Sequence, residues 1–152
     1  MDFGGRYLFA APRERVWAAL NDAALLKSVI PGCETLEWTG PTTLDLKLKV
    51  HLGLIHPTFS GDLTLSDIRP AERYTLSGKG RGVASLAHAA ADITLSEASG
   101  GTELAFDAAG SADGTIMKLG KAVIGNSAQK VIDGFFGAIG ERMGVNVTTL
   151  PR

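Results

Sequence analysis

The side chains that could do chemistry in this chain are few and scattered. There is one cysteine, Cys33, and there are three histidines, His51, His56 and His88. A thiolate nucleophile needs a basic neighbour or a helix end to lower its pKa. No such partner stands beside Cys33 in the sequence, and a lone cysteine more often packs as a small buried hydrophobe. The histidines form no His-Glu-x-x-His helix and are not spaced from a carboxylate or from Cys33 as a metal-ligand set requires. No Gly-x-Ser-x-Gly elbow presents a serine. The run Gly78-Lys79-Gly80-Arg81-Gly82 looks at first like a phosphate loop. Such a loop opens a helix after a strand, whereas this run lies between two predicted strands and reads as a twisted hairpin. The residue pattern points away from catalysis and from a resident metal.

Apolar surface is what the sequence has to arrange. Of 152 residues, 45% are hydrophobic and 20% charged, which suits one soluble domain with its own core. Fifteen Lys+Arg against sixteen Asp+Glu leave a net charge of −1, without the basic excess of a nucleic-acid binder. A single cysteine allows no intrachain disulfide. Met1-Asp2-Phe3-Gly4-Gly5-Arg6 lacks the charged-then-apolar order of a signal peptide. No window approaches 18 uninterrupted apolar residues, so no transmembrane helix is expected, and the default address is the cytoplasm.

The periodicity predicts an ordered set of elements. Phe3 to Phe9 alternates as a strand. Pro12 opens a short helix with Val16, Trp17 and Leu20 on its apolar stripe, and Ala23 to Val29 forms a second helix that stops before Pro31-Gly32. A series of strands follows. In Thr42 to Leu54 the residues Leu44, Leu46, Leu48, Val50 and Leu52 share one face, against Asp45, Lys47, Lys49 and His51 on the other. Further strands are expected over Phe59 to Ile68, Tyr74 to Gly80, Val83 to Ser96 and Thr102 to Ala109. After Gly110 the period becomes helical, and Thr115 to Met143 reads as one amphipathic helix of roughly 28 residues, about 42 Å long. Asn146 to Arg152 reads as a ragged tail, which leaves a single domain over 1–145. Gly120, Gly125, Gly134, Gly137 and Gly140 interrupt the helix, each at a cost of roughly 0.5–1 kcal/mol against alanine. They serve either close packing against the sheet or a deliberately weak lid.

Strands segregated from helices mean an α+β fold. A sheet of this size twists and curls, and a long helix can lie across its concave side. This layout, together with "FGGRYLFAAPRERVWAALND", "VIPGCETLE" (Val29 to Glu37), "FSGDLTL" (Phe59 to Leu65) and "GRGVASLAHAAADITL" (Gly80 to Leu95), resembles the START-like (SRPBCC, helix-grip) superfamily. Within it the chain is similar to the carbon monoxide dehydrogenase G-subunit family. The Pro31-Gly32-Cys33 element is the most distinctive part of the likeness.

The resemblance implies a curved antiparallel sheet of six to seven strands wrapped on a long C-terminal helix, with two short helices after the first strand. It implies a non-catalytic accessory protein that links a molybdenum hydroxylase of the carbon monoxide dehydrogenase type to the cytoplasmic membrane by peripheral, reversible contact. It also implies an internal cavity suited to an apolar ligand such as a respiratory quinone, with no covalent cofactor. In helix-grip proteins the inward faces line that cavity. On the helix these are Ile116, Leu119, Val123, Val131, Ile132, Phe135, Phe136 and Ile139. On the strands they are Leu46, Leu48, Val50, Leu52, Phe59, Leu63, Leu65 and Leu86. The small residues from Ala84 to Ala91 leave room in mid-sheet or mark tight packing. Trp17 and Trp38 are expected as core or rim anchors, and Leu54-Ile55-His56-Pro57 as an apolar loop tip that docks on a partner or membrane, or folds back. Two other readings stay open: an interaction subunit with no ligand, and a START-like enzyme acting on an aromatic or polyketide-like ligand. The enzyme would need convergent polar groups in the cavity, and the inward faces offer few.

Overall fold

The computed structural model describes residues 2–30, 32–49, 54, 58–82, 85–112 and 128–151, with the backbone alone for 2–3, 81–82, 85–88, 110–112 and 128–131. Wherever polar and apolar residues alternate, the chain is extended. The strands are β1 (Asp2–Phe9), β2 (Cys33–Trp38), β3 (Thr43–Lys49), β4 (Thr58–Arg69), β5 (Arg73–Gly82), β6 (Ser85–Ala98), β7 (Gly101–Ala112) and β8 (Val147–Leu150). The helices are α1 (Arg13–Leu20), α2 (Ala23–Val29) and α3 (Ala128–Met143). All strands join one antiparallel sheet in the order β2-β3-β4-β5-β6-β7-β1-β8, so the fold is α+β of the helix-grip type.

Local chemistry sets the element ends. Pro12 stands at the start of α1 in extended conformation, and the Asp22 carboxylate caps α2 by accepting the Leu25 N–H at 3.1 Å. Gly32 follows α2 with φ +73, and a Cβ there would strike the Lys49 carbonyl oxygen, so only glycine makes this turn into β2. The Gly32 carbonyl accepts the Lys49 N–H at 2.8 Å, which ties the turn to the end of β3.

The sheet has eight strands rather than six or seven. The eighth is the segment expected to be a ragged tail: Val147–Leu150 pairs antiparallel with β1 over Arg6 to Phe9. Four residues are too few to show an alternation signal, but without them β1 would present an open edge. The expected long helix appears as α3 over its C-terminal part, and 115–127 lie outside the described residues. Arg15 of α1 donates to the Met143 carbonyl at 2.9 Å and so satisfies an otherwise open acceptor at the C-terminal end of α3.

The core sits between the sheet and the helices. Tyr7, Phe9, Val16, Leu104 and Ile139 are fully buried, joined by Leu20, Leu36, Leu44, Leu65, Tyr74, Ile93, Leu95 and Phe136. In β3 burial follows the predicted parity, with Leu44, Leu46 and Leu48 inward and Asp45, Lys47 and Lys49 exposed.

Candidate functional site

Strand register brings the inward residues into rows across the sheet. One row runs Tyr74, Ile93, Phe106 and the next Leu65, Leu76, Ala91. A third runs Trp38, Leu44, Leu63, Gly78. Along β5 and β6 the inward side chains thus shrink, from Tyr74 and Ile93 through Leu76 and Ala91 to Gly78 and Ala89. Leu63 leans into the space left at Gly78, where an added Cβ would lie 2.9 Å from its Cδ2. Small residues leave volume that large neighbours only partly fill.

Over these rows the structure holds a cavity of about 140 Å³. Its floor is formed by the side chains of the three rows, apart from Gly78, and by Leu36, and its roof by Phe135 and Phe136 of α3. Leu20 of α1 with Leu26 and Ile30, at the end of α2, completes the wall. Trp38, 40% exposed, stands at the rim. None of the described lining residues is acidic, basic, a histidine or a cysteine. The polar side-chain atoms they bring are the Tyr74 hydroxyl and the Trp38 indole N–H.

Aromatic contacts hold the roof in place. Phe136 packs against Tyr7 at 4.6 Å between ring centroids, Phe106 at 5.6 Å and Phe135 at 5.2 Å. The buried Tyr7 hydroxyl donates to Asp133 Oδ1 at 2.7 Å, a polar tie between β1 and α3. Gly5 makes room for that hydroxyl: a Cβ there would lie 2.7 Å from it. On the α1 side Trp17 meets Tyr74 edge-to-face at 5.3 Å and 80°. Burial pushes the Tyr74 phenol well above its usual range.

Burial also pushes the Cys33 thiol up, against the weaker opposing pull of Lys27. Its Sγ–H donates to the Thr35 carbonyl at 3.3 Å. That is the structural cysteine the sequence suggests, not an activated nucleophile. Among the described residues no cluster of His, Cys, Asp and Glu could hold a metal ion.

Of the residues expected to line a cavity, Leu63, Leu65, Phe135 and Phe136 do so. Leu46 and Ile132 pack against the core outside the lining, and Ile139 is wholly buried within it. Leu48 and Phe59 pair with each other, half-buried, nearer the end of the β3–β4 ladder. Leu86 pairs in register with Arg81, and its side chain lies outside the described residues. Val50, Leu52, Ile116, Leu119 and Val123 lie outside the described residues, as does the side chain of Val131. Sequence reasoning missed Leu26 and Ile30 because nothing local showed which way so short a helix as α2 faces. It missed Tyr74, Ile93 and Phe106 although their alternation was visible. Extending the inward parity from β4 through each hairpin would have found them.

The helix glycines divide. An added Cβ at Gly134 or Gly137 meets nothing within 4 Å, whereas at Gly140 it would run into the Val147 side chain. Close packing therefore accounts for Gly140 alone among these three. Gly120 and Gly125 lie outside the described residues. Leu54 is fully exposed, and its neighbours 55–57 lie outside the described residues.

The family model of CoxG, the G subunit of carbon monoxide dehydrogenase, matches residues 5–144. No curated protein sequence matches the chain. Among solved structures, a conserved protein from Geobacillus kaustophilus superposes with TM-score 0.82 at 23% identity, over 97% of this chain and 99% of that one. A protein from Chromobacterium violaceum superposes with TM-score 0.69 at 17% identity, over 92% and 95%. One from Thermus thermophilus gives 0.64 at 14%, over 94% and 97%. At these identities the likeness is one of fold.

Proposed function

The chain belongs to the carbon monoxide dehydrogenase G-subunit (CoxG) family, and from that premise we propose that it is a non-catalytic carrier and adaptor. It binds an apolar, ring-bearing ligand, a respiratory quinone being the best fit, beside a molybdenum hydroxylase of the carbon monoxide dehydrogenase type. The observation that carries this reading is the cavity of about 140 Å³ with its almost wholly hydrocarbon wall. Such a volume is close to the roughly 150 Å³ in which an apolar cavity holds a benzene-sized ring. A ring fits; a whole isoprenoid does not, so a long tail would leave the described part of the cavity. Among the described residues the wall offers no acid–base pair, which supports binding rather than catalysis on the ligand.

The adaptor half of the reading places the protein in the cytoplasm, at the inner face of the cell membrane. No helix of the described residues is long and apolar enough to cross a membrane. Contact is then peripheral and reversible, and the fully exposed Leu54 is the first candidate to touch the bilayer or the partner enzyme.

One observation favours a second reading. A drug-sized ligand wants roughly 300 Å³ or more, about twice the volume found, as expected of an interaction subunit that carries nothing. Mass spectrometry of an organic extract from gently purified protein separates the two. A stoichiometric quinone or other isoprenoid is the expected result. An empty extract, together with no binding of added quinone, refutes the carrier reading and leaves the interaction subunit.

A further inference from the structure

We propose that Tyr74 sets the specificity of the cavity: it selects a ring that carries a carbonyl oxygen over a hydrocarbon of the same shape. This rests on the ligand-binding reading above and adds to it the group that recognises the ligand. Tyr74 is 5% exposed and forms part of the cavity wall between Leu65 and Leu76 on one side and Ile93 on the other. The neighbours it meets there are hydrocarbon, and Trp17 braces its ring edge-to-face.

A buried tyrosine hydroxyl is ordinarily given a hydrogen-bond partner. The fold does this for Tyr7, whose hydroxyl reaches Asp133 at 2.7 Å. It does not do so for Tyr74. Burial pushes its phenol up, no described residue hydrogen-bonds to it, and its hydroxyl keeps some accessible surface instead of being sealed among side chains. An ordinary phenol, with a pKa of about 10, is already protonated at neutral pH, and burial pushes this one further up, so it acts as a donor. Trp38, the other polar side chain of the wall, is 40% exposed at the rim and has water within reach. A donor fixed in an apolar wall is satisfied when a ligand brings an acceptor, and sites built this way discriminate against analogues that lack it. A carbonyl on a small ring supplies an acceptor without a charge that the wall would reject.

The test uses two probes of nearly equal shape, acetophenone and ethylbenzene, titrated into the wild-type protein and into Tyr74→Phe. The variant removes one hydroxyl and keeps the ring on Trp17, and thermal unfolding confirms its fold. The expected result is about a fivefold loss of acetophenone affinity, the worth of one neutral hydrogen bond. Ethylbenzene affinity should stay within about twofold. An equal change for both probes, or none for acetophenone, overturns the proposal while the carrier reading stands. Failure of both probes to bind the wild-type protein removes the reading and the proposal together. The carbonyl stretch of acetophenone bound to the wild-type protein tests the same contact without any variant. It should lie below its position in hydrocarbon solvent, and an unshifted band overturns the assignment.

Discussion

Replacing Gly134 with alanine should make the protein more stable, and the structure says why. Gly134 lies inside α3, is exposed, and would place a new Cβ more than 4 Å from any neighbouring atom. Alanine then meets no clash, and what remains is the helix-propensity gain of about 0.5–1 kcal/mol. For a chain of 152 residues that raises Tm by about 1–4 °C. The urea midpoint should rise with an unchanged slope, because the surface exposed on unfolding is the same. Gly137→Ala should behave alike. Gly140→Ala should do the reverse, since its Cβ would run into Val147 and lie 3.1 Å from the Val145 carbonyl. Pushing β8 aside costs about 1–3 kcal/mol. Val147→Ala takes away the clashing methyl, so the double variant should cost less than the sum of the two singles. A destabilised Gly134→Ala would refute the reasoning, as would additive behaviour of Gly140→Ala and Val147→Ala. If the glycines also keep α3 loose for ligand entry, Gly134→Ala should slow acetophenone binding in stopped flow.

Three further outcomes follow from the site. Ala91→Leu extends a side chain from the floor into the cavity; it should weaken acetophenone binding more than tenfold while urea unfolding shows stability unchanged or raised by about 1 kcal/mol, and undiminished binding would mean the ligand sits elsewhere. Tyr74 has a folded pKa raised by burial above its unfolded value of about 10, so its ionisation costs the fold nothing below pH 10 and stability falls as pH rises from there toward the folded value. Tyr74→Phe should flatten the alkaline fall of the unfolding free energy, and identical slopes for the two proteins would contradict the assignment. Cys33, its thiol pushed up chiefly by burial, should react with iodoacetamide at pH 7 severalfold more slowly than a free cysteine thiol, and an equal or faster rate would speak against its structural role.

The architecture was legible because its signals are local and repeated. Leu44, Leu46 and Leu48 alternate with Asp45, Lys47 and Lys49 strongly enough to fix which face of β3 is buried. The Asp22 cap and the Pro31-Gly32 stop bounded α2 correctly to the residue, and Pro12 placed the start of α1 to within one residue. What escaped depends on partners distant in sequence. β8 exists because β1 has a free edge, and nothing in Val147 to Leu150 announces that. The cavity walls from α2 were illegible for another reason, since seven residues make two turns and both faces of Ala23–Val29 carry apolar side chains.

The cavity, the glycines and Tyr74 belong to one argument about what the fold is selected for. At about 24 cal/mol per Å³, an empty volume of 140 Å³ forgoes about 3 kcal/mol relative to a filled core. That is a large share of the roughly 5–15 kcal/mol by which domains of this kind are stable. Two glycines in α3 with no close neighbour and a phenol without a partner lower stability further, each through a different mechanism. Single substitutions would remove every one of these costs: Ala91→Leu, Gly134→Ala, Gly137→Ala, Tyr74→Phe. Losses so easily repaired are common in natural domains and need no function behind them, so what decides is the effect of each repair on binding. All four positions lie on the cavity wall or in the helix that roofs it, and Tyr74 is the wall's hydrogen-bond donor. If the protein carried nothing, the four substitutions would raise stability at no cost to its work. If it carries a carbonyl-bearing ring, each should impair a separate property: Ala91→Leu the capacity to bind, the glycine variants the rate of entry, and Tyr74→Phe the choice of ligand.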